Sequence, residues 1–188
     1  MRNQTLTKIF LGLAFLLGGC QGVQWQPGGQ AYTAQDGRFS VRLPTGWSFA
    51  EPRSGQVIAT ADGLLVQRIV VGHRELKEAL PYSKRVLTAG LSSLELVEAM
   101  TDDLRADHGL LNLQIVENQP ATIGGQPGFK LVTTHHNASK LQITSVLYGF
   151  VKGPDLYLLN YIAPTRYFYD RDLPGFEEAV KSFQLGKP

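Results

Sequence analysis

The stretch from Leu141 to Ile162 constrains the fold more than any other part of the chain. Leu141 to Val151 and Leu156 to Ile162 are long β-type runs, and Lys152-Gly153-Pro154-Asp155 stands between them. Gly, Pro and Asp are turn residues, each for its own steric or hydrogen-bonding reason, so the four reverse the chain. Tyr157 and Tyr161 are four apart on the second run and share one face of the strand.

The rest of the pattern is punctuated in the same way. Phe39-Ser40-Val41-Arg42-Leu43 alternates apolar and polar residues, as a half-buried strand does. Pro44-Thr45-Gly46 breaks it and brings Trp47 onto the sheet. Val57 to Thr60 and Leu64 to Val71 flank Asp62-Gly63, a hairpin signal. Leu111 to Val116 and Phe129 to Thr134 read as strands, with a tight turn at Gly124-Gly125 whose glycines can take positive φ.

Two helical segments interrupt the strands. A short piece is expected over 74–80, stopped by Pro81, and a longer one from Ser83. In the latter Leu87, Leu91, Leu94, Val97, Met100 and Leu104 recur every three or four residues, with Asp102, Asp103 and Arg105 away from that stripe. Gly90 weakens this helix, and Ser92-Ser93-Leu94-Glu95 offers a capping box for a second start. Near the end, Asp172-Leu173-Pro174 opens a helix that buries Phe176, Val180 and Phe183. Strands, helix, several antiparallel strands and helix form an α+β order. The expected architecture is one antiparallel sheet of six or seven strands, packed between helices.

The first residues specify an address. Arg2 and Lys8 bracket a short polar start, and Ile9 to Leu17 is a brief apolar run, the pattern of a secretory signal. The run is shorter than the roughly 20 apolar residues a membrane-spanning helix needs. Leu17-Gly18-Gly19-Cys20 resembles the lipobox of bacterial lipoproteins. That resemblance implies removal of 1–19, lipidation of Cys20 with palmitate-type chains, and attachment to a membrane. Gln21 in place of Asp leans towards the outer membrane. One cysteine in the chain permits no internal disulfide. Of 18 Lys and Arg, Arg2 and Lys8 fall in the leader, and the 16 that remain match the 16 Asp and Glu. A neutral mature chain without basic runs gives no footing for nucleic acid. Residues 20–35, rich in Gln and Gly, are expected to be a flexible tether, with Trp25 read as packed on the domain's flank or idle rather than dipping into the interfacial zone of the membrane. The domain itself is expected over 36–188.

Four ordered pieces, FSVRLPTGW (39–47), ATIGGQPGFKLV (121–132), LYLLNYIAPTRYFYD (156–170) and FEEAVKSF (176–183), resemble the PsbP/Mog1-type α-β-α sandwich, including bacterial PsbP-like and DcrB-like lipoproteins. The resemblance covers 37–185. It implies an antiparallel sheet between helical layers and no single activity, because relatives serve as assembly factors, photosystem subunits or Ran-binding proteins.

No catalytic constellation is expected. His135 and His136 are neighbours on a strand and point to opposite faces, while His73 and His108 bracket the helical region, so no metal site is expected and the histidines are read as exposed. Ser92, Ser93 and Ser145 lack a Gly-x-Ser-x-Gly elbow. Asp102-Asp103 and Glu177-Glu178 are read as solvated helix faces. Tyr167, Phe168 and Tyr169, with Tyr157 and Tyr161, are read as core and sheet cover. The expected function is a non-catalytic, lipid-anchored binding or assembly module on the periplasmic face of the outer membrane. Its partners are the membrane, through Cys20, and another envelope protein, and no cofactor is expected. The alternatives are an envelope hydrolase with an unrecognised site, or a small-ligand carrier with a cavity between helix and sheet.

Overall fold

The computed structural model describes residues 23–186. The expected signal and the lipidation site Cys20 lie outside the described residues. In chain order the strands are β1 (Gln26–Pro27), β2 (Ala31–Thr33), β3 (Phe39–Arg42), β4 (Ser48–Arg53), β5 (Gln56–Thr60), β6 (Arg68–Glu75), β7 (Leu111–Ile123), β8 (Gln126–His136), β9 (Gln142–Lys152), β10 (Asp155–Pro164) and β11 (Gln184–Leu185). Helix α1 (Ser93–Ala106) precedes β7, and α2 (Asp170–Ser182) follows β10.

The hairpin at Lys152–Asp155 sits inside an eight-stranded antiparallel sheet of order β1-β4-β5-β6-β10-β9-β8-β7. Gly153 takes φ +58° at that turn, and Gly124 and Gly125 take +54° and +76° between β7 and β8, as a two-residue hairpin turn requires. Strands β11, β3 and β2 form a separate three-stranded sheet. The α+β sandwich is therefore as expected, but the main sheet has eight strands rather than six or seven, because β1 adds to its edge, and its second layer holds a small sheet as well as a helix.

Alternate residues divide the core. Tyr157, Leu159 and Tyr161 of β10 join Phe150, Phe39, Phe176, Val180 and Phe183 under α2 and the small sheet. Leu156 of β10 joins Leu147, Leu131 and Phe129 under Leu96, Val97 and Met100 of α1. Ring stacking closes the first layer, with Phe150 and Tyr157 centroids 5.0 Å apart at 5°. Trp47 is buried there, 6.5 Å from Tyr161.

Several expectations need correction. Residues 26–33 are not tether, because β1 pairs with β4 and β2 with β3, and Ala34 is buried in the core. Backbone pairing outweighs the tether-like composition. The second strand of the Asp62-Gly63 hairpin starts at Arg68 rather than Leu64, because Val66 and Gln67 N–H groups bond back to Gly63 O. Residues 74–91 are not helical. Arg74 and Glu75 end β6, and the remainder is an irregular strap whose Leu76, Leu80 and Leu87 are buried in the α1 layer. Their spacing imitates a helix, but Pro81 and a left-handed Lys84, φ +60°, break the ladder. Helix α1 starts instead at the second signal, where Ser92 Oγ accepts from Glu95 N–H and the Glu95 carboxylate accepts from Ser92 N–H. Leu94, placed on the buried stripe, is 63% exposed.

The last helix begins at Asp170, two residues earlier than expected. A kinked turn, Thr165–Tyr169, with non-helical backbone at Arg166 and Tyr167, leads into it, pinned by Tyr161 Oη, which donates to Phe168 O at 2.8 Å.

Candidate functional site

Strand β6 places the polar chemistry. Ile69, Val71 and His73 face the α2 layer, and Arg68, Val70, Gly72 and Arg74 face the α1 side, as a two-residue period dictates. His73 is not an exposed histidine beside a helix. Its side chain is 12% exposed and lies between two carboxylates, with Nε2 2.5 Å from Asp36 Oδ2 and Nδ1 3.9 Å from Asp155 Oδ1. Arg38 Nη1 pairs with Asp155 Oδ2 at 2.5 Å. Burial pushes the Asp36 carboxyl up, but hydrogen bonds from His73 and the Arg38 N–H outweigh it and leave the group below its ordinary value. The cluster ties the β2–β3 loop to β6 and β10. Its carboxylates address opposite ring nitrogens, so the three donors do not converge on a common point.

The α1 side holds a groove of 310 Å³. Its floor is Leu156, Leu158 and Asn160 of β10, Leu147 of β9 and Val70 with Gly72 of β6, and its wall is Met100 and Leu104 of α1 with Tyr82 of the strap. Gly72 lies opposite Leu158 and Gln56 on its two neighbouring strands and leaves the floor low. Arg53 and Arg74 stand at one end. Arg74 Nη2 donates to Ala79 O at 2.7 Å and lies 3.5 Å from Glu78, while its Nε is buried without a partner among the described residues.

Asp103 overturns the reading of a solvated carboxylate pair. It is buried, and its Oδ1 accepts from Tyr82 N–H, Ser83 N–H and Ser83 Oγ at 3.0, 2.7 and 2.9 Å. It holds the strap against α1 and closes the wall of the groove. Asp102 remains exposed. Glu177 is also engaged, accepting from Tyr148 Oη at 2.8 Å and lying 3.4 Å from Lys130 Nζ. Burial, and then that hydrogen bond, push the Tyr148 phenol well up.

The other predicted positions are dispersed. His135 and His136 end β8 and are half-buried, and burial lowers the His135 pKa. His108 lies exposed beyond α1. Among the described residues no three His, Cys, Asp or Glu side chains are grouped to hold a metal ion. Ser145 Oγ donates to Asn160 Oδ1 at 2.8 Å. Tyr157 and Tyr161 are buried as expected, whereas Tyr167 is 66% exposed, at φ +73°. The Arg171 guanidinium sits 5.3 Å and 4.9 Å from the Tyr167 and Phe168 ring centres and pairs with Asp62 at 2.5 Å.

No family model matches this chain, and no curated protein matches it by sequence. Solved structures do. The cyanobacterial PsbP of Synechocystis sp. PCC 6803 superposes with a TM-score of 0.54 at 16% identity, covering 90% of this chain and 98% of that one. The Ran-binding protein Mog1p of Saccharomyces cerevisiae gives 0.55 at 11%, covering 87% and 96%. The fold is PsbP/Mog1-like. LpqN, involved in cell envelope biogenesis of Mycobacterium tuberculosis, gives 0.56 at 13%, covering 88% and 92%. The chain also matches a Bacteroides thetaiotaomicron structure, of which it spans about half, 49%. At such identities the likeness carries the fold alone. Within this PsbP/Mog1-like frame the groove, the His73 cluster and Asp103 come from side chains far apart in sequence. Only the capping box and the turn glycines nearby had a local signal.

Proposed function

We propose that this chain is a lipid-anchored envelope protein, held through Cys20 on the periplasmic face of the outer membrane, whose domain is a non-catalytic binding or assembly module. The carrying observation is the open, apolar-floored groove beside α1. Asp103 and Asn160 in its lining are engaged with the strap and with Ser145, and among the described lining residues no nucleophile and base pair converges on the floor as a hydrolase would need. Ran binding by Mog1p and the envelope role of LpqN support a binding reading and an envelope setting. A small-ligand carrier is the second reading, favoured by the 310 Å³ volume between helix and sheet, at the lower end of ligand-pocket sizes.

The test is Cys20→Ala, with cell fractionation and in-cell crosslinking. The variant is expected to fold, to leave the membrane fraction, and to lose its crosslinked envelope partner. Retention on membranes after a high-salt wash would sink the anchor. Turnover of a generic ester or glycan substrate by the purified protein would sink the non-catalytic reading.

A further inference from the structure

We propose that the groove holds an anionic lipid of the chain's own membrane, with one acyl chain along Leu147, Leu156, Leu158 and Val70 and the headgroup against Arg53 and Arg74. This rests on the reading of Cys20 as the anchor.

Position is the first argument. Strand β1 runs antiparallel to β4, with Gln26 opposite Phe49 and Pro27 opposite Ser48. The chain before Gln26 therefore leaves in the direction in which β4 runs, towards Arg53 and the β4–β5 turn. Cys20 is only six residues before Gln26, a reach of at most about 20 Å. An acylated Cys20 holds that end of the sheet at the bilayer surface. Val23 and Trp25 are 52% and 43% exposed on this approach, and Trp is favoured at the membrane interface. Arg53, Gln56 and Arg74 bring the end of the groove to the same end of the sheet, since Gln56 pairs with Gly72 across β5 and β6.

Chemistry is the second argument. The floor is apolar, and burial of aliphatic surface stabilises an occupant by roughly 25 cal/mol per Å². The end is cationic. Arg53 has no carboxylate within ion-pair distance among the described residues, and Arg74, whose Nη2 lies 3.5 Å from Glu78, keeps a buried Nε unpartnered. The one acid in the lining, Asp103, is already taken up by three donors of the strap. A peptide is a poor occupant. Strands β5, β6, β10 and β9 are each paired on both sides, so the floor offers no free edge to satisfy a peptide backbone. An acyl chain has no backbone polar groups to satisfy.

A photo-crosslinking residue at Leu158 in the full chain, irradiated in living cells, is the test, with Val70 as a second position and Leu65 as the control. Leu65 is 99% exposed on the loop at the opposite end of β5. Mass spectrometry is expected to find phospholipid adducts at 158 and 70 and none at 65. Arg53→Glu combined with Arg74→Gln is expected to lower adduct yield at least roughly tenfold, as loss of charge-assisted contacts implies. Protein adducts in place of lipid overturn this proposal and leave the binding-module reading standing. Absence of adducts of either kind at both positions overturns both. Lipid yield unchanged in the double variant overturns the role of the anionic headgroup, and yield unchanged in Cys20→Ala overturns delivery from the anchored geometry.

Discussion

The two faces of the main sheet are made by alternate residues of the same strands, yet only one is closed. Beneath α2, the three-stranded sheet and the rings of Phe39, Phe150, Tyr157, Tyr161, Phe176 and Phe183 leave these side chains with almost no exposure. Beneath α1, cover reaches β8, β9 and the near half of β10, and then stops. Val70, Leu158 and Asn160 stay half-buried. The difference teaches that an apolar strand residue is no guide to whether its face is sealed. The sealing element has to be long enough, and α1 with its strap spans only part of the sheet.

The sharpest way to break this comparison is to truncate one side chain on each face. Phe176→Ala is expected to cost about 3–5 kcal/mol, and Leu158→Ala only about 1 kcal/mol, because part of its surface is already wet. Urea unfolding followed by circular dichroism measures both. Equal losses would mean that the groove is closed in solution.

A smaller effect tests the wall of the open face, where the strap meets α1. Asp103→Ala removes the acceptor of three hydrogen bonds and is expected to cost about 1–3 kcal/mol. Hydrogen exchange should rise at the amides of Tyr82 and Ser83 while protection under α2 stays as it was. Asp103→Asn keeps an acceptor oxygen and should retain part of the loss. Uniform exchange across both faces would remove the strap's independence.

The smallest effect is pH dependence at the His73 cluster. Asp36 has its folded pKa lowered despite burial, through hydrogen bonds from His73 and the Arg38 N–H. A lowered carboxyl contributes stability that is present above its unfolded pKa near 4 and is lost as pH falls through the folded value. Thermal unfolding from pH 5 down to pH 2 should therefore show a steeper loss in the natural chain than in Asp36→Asn. Identical slopes would show that the His73 and Arg38 hydrogen bonds do not hold the Asp36 carboxyl below its ordinary value.

Much of the fold was legible because its signals are local. The turn at Gly124-Gly125, the turn at Gly153-Pro154, the capping box of Ser92 and Glu95 and the stripe of Phe176, Val180 and Phe183 each need only a few neighbouring residues. The strap failed because Leu76, Leu80 and Leu87 keep helical spacing while the backbone between them is irregular, so burial alone could not name the conformation. Tether composition failed at 26–33 because two short strands borrow their partners from β3 and β4. At the site, Leu158 was readable as a strand residue, but Arg74 was read as helical and the groove between them was not legible. His73 looked solvent-facing, since Asp36 and Asp155 are remote in the chain. Asp103 looked like a surface carboxylate, since the strap that buries it was itself read as helix.

By itself, the sequence determined where the chain reverses and, in the long strands and in α2, which residues share a face. Those depend on local stereochemistry and on short motifs. Tertiary structure alone decided which face is sealed, which carboxylates are buried and where cations meet an apolar floor. Such outcomes depend on how far one element reaches over another, a distance that no single segment encodes.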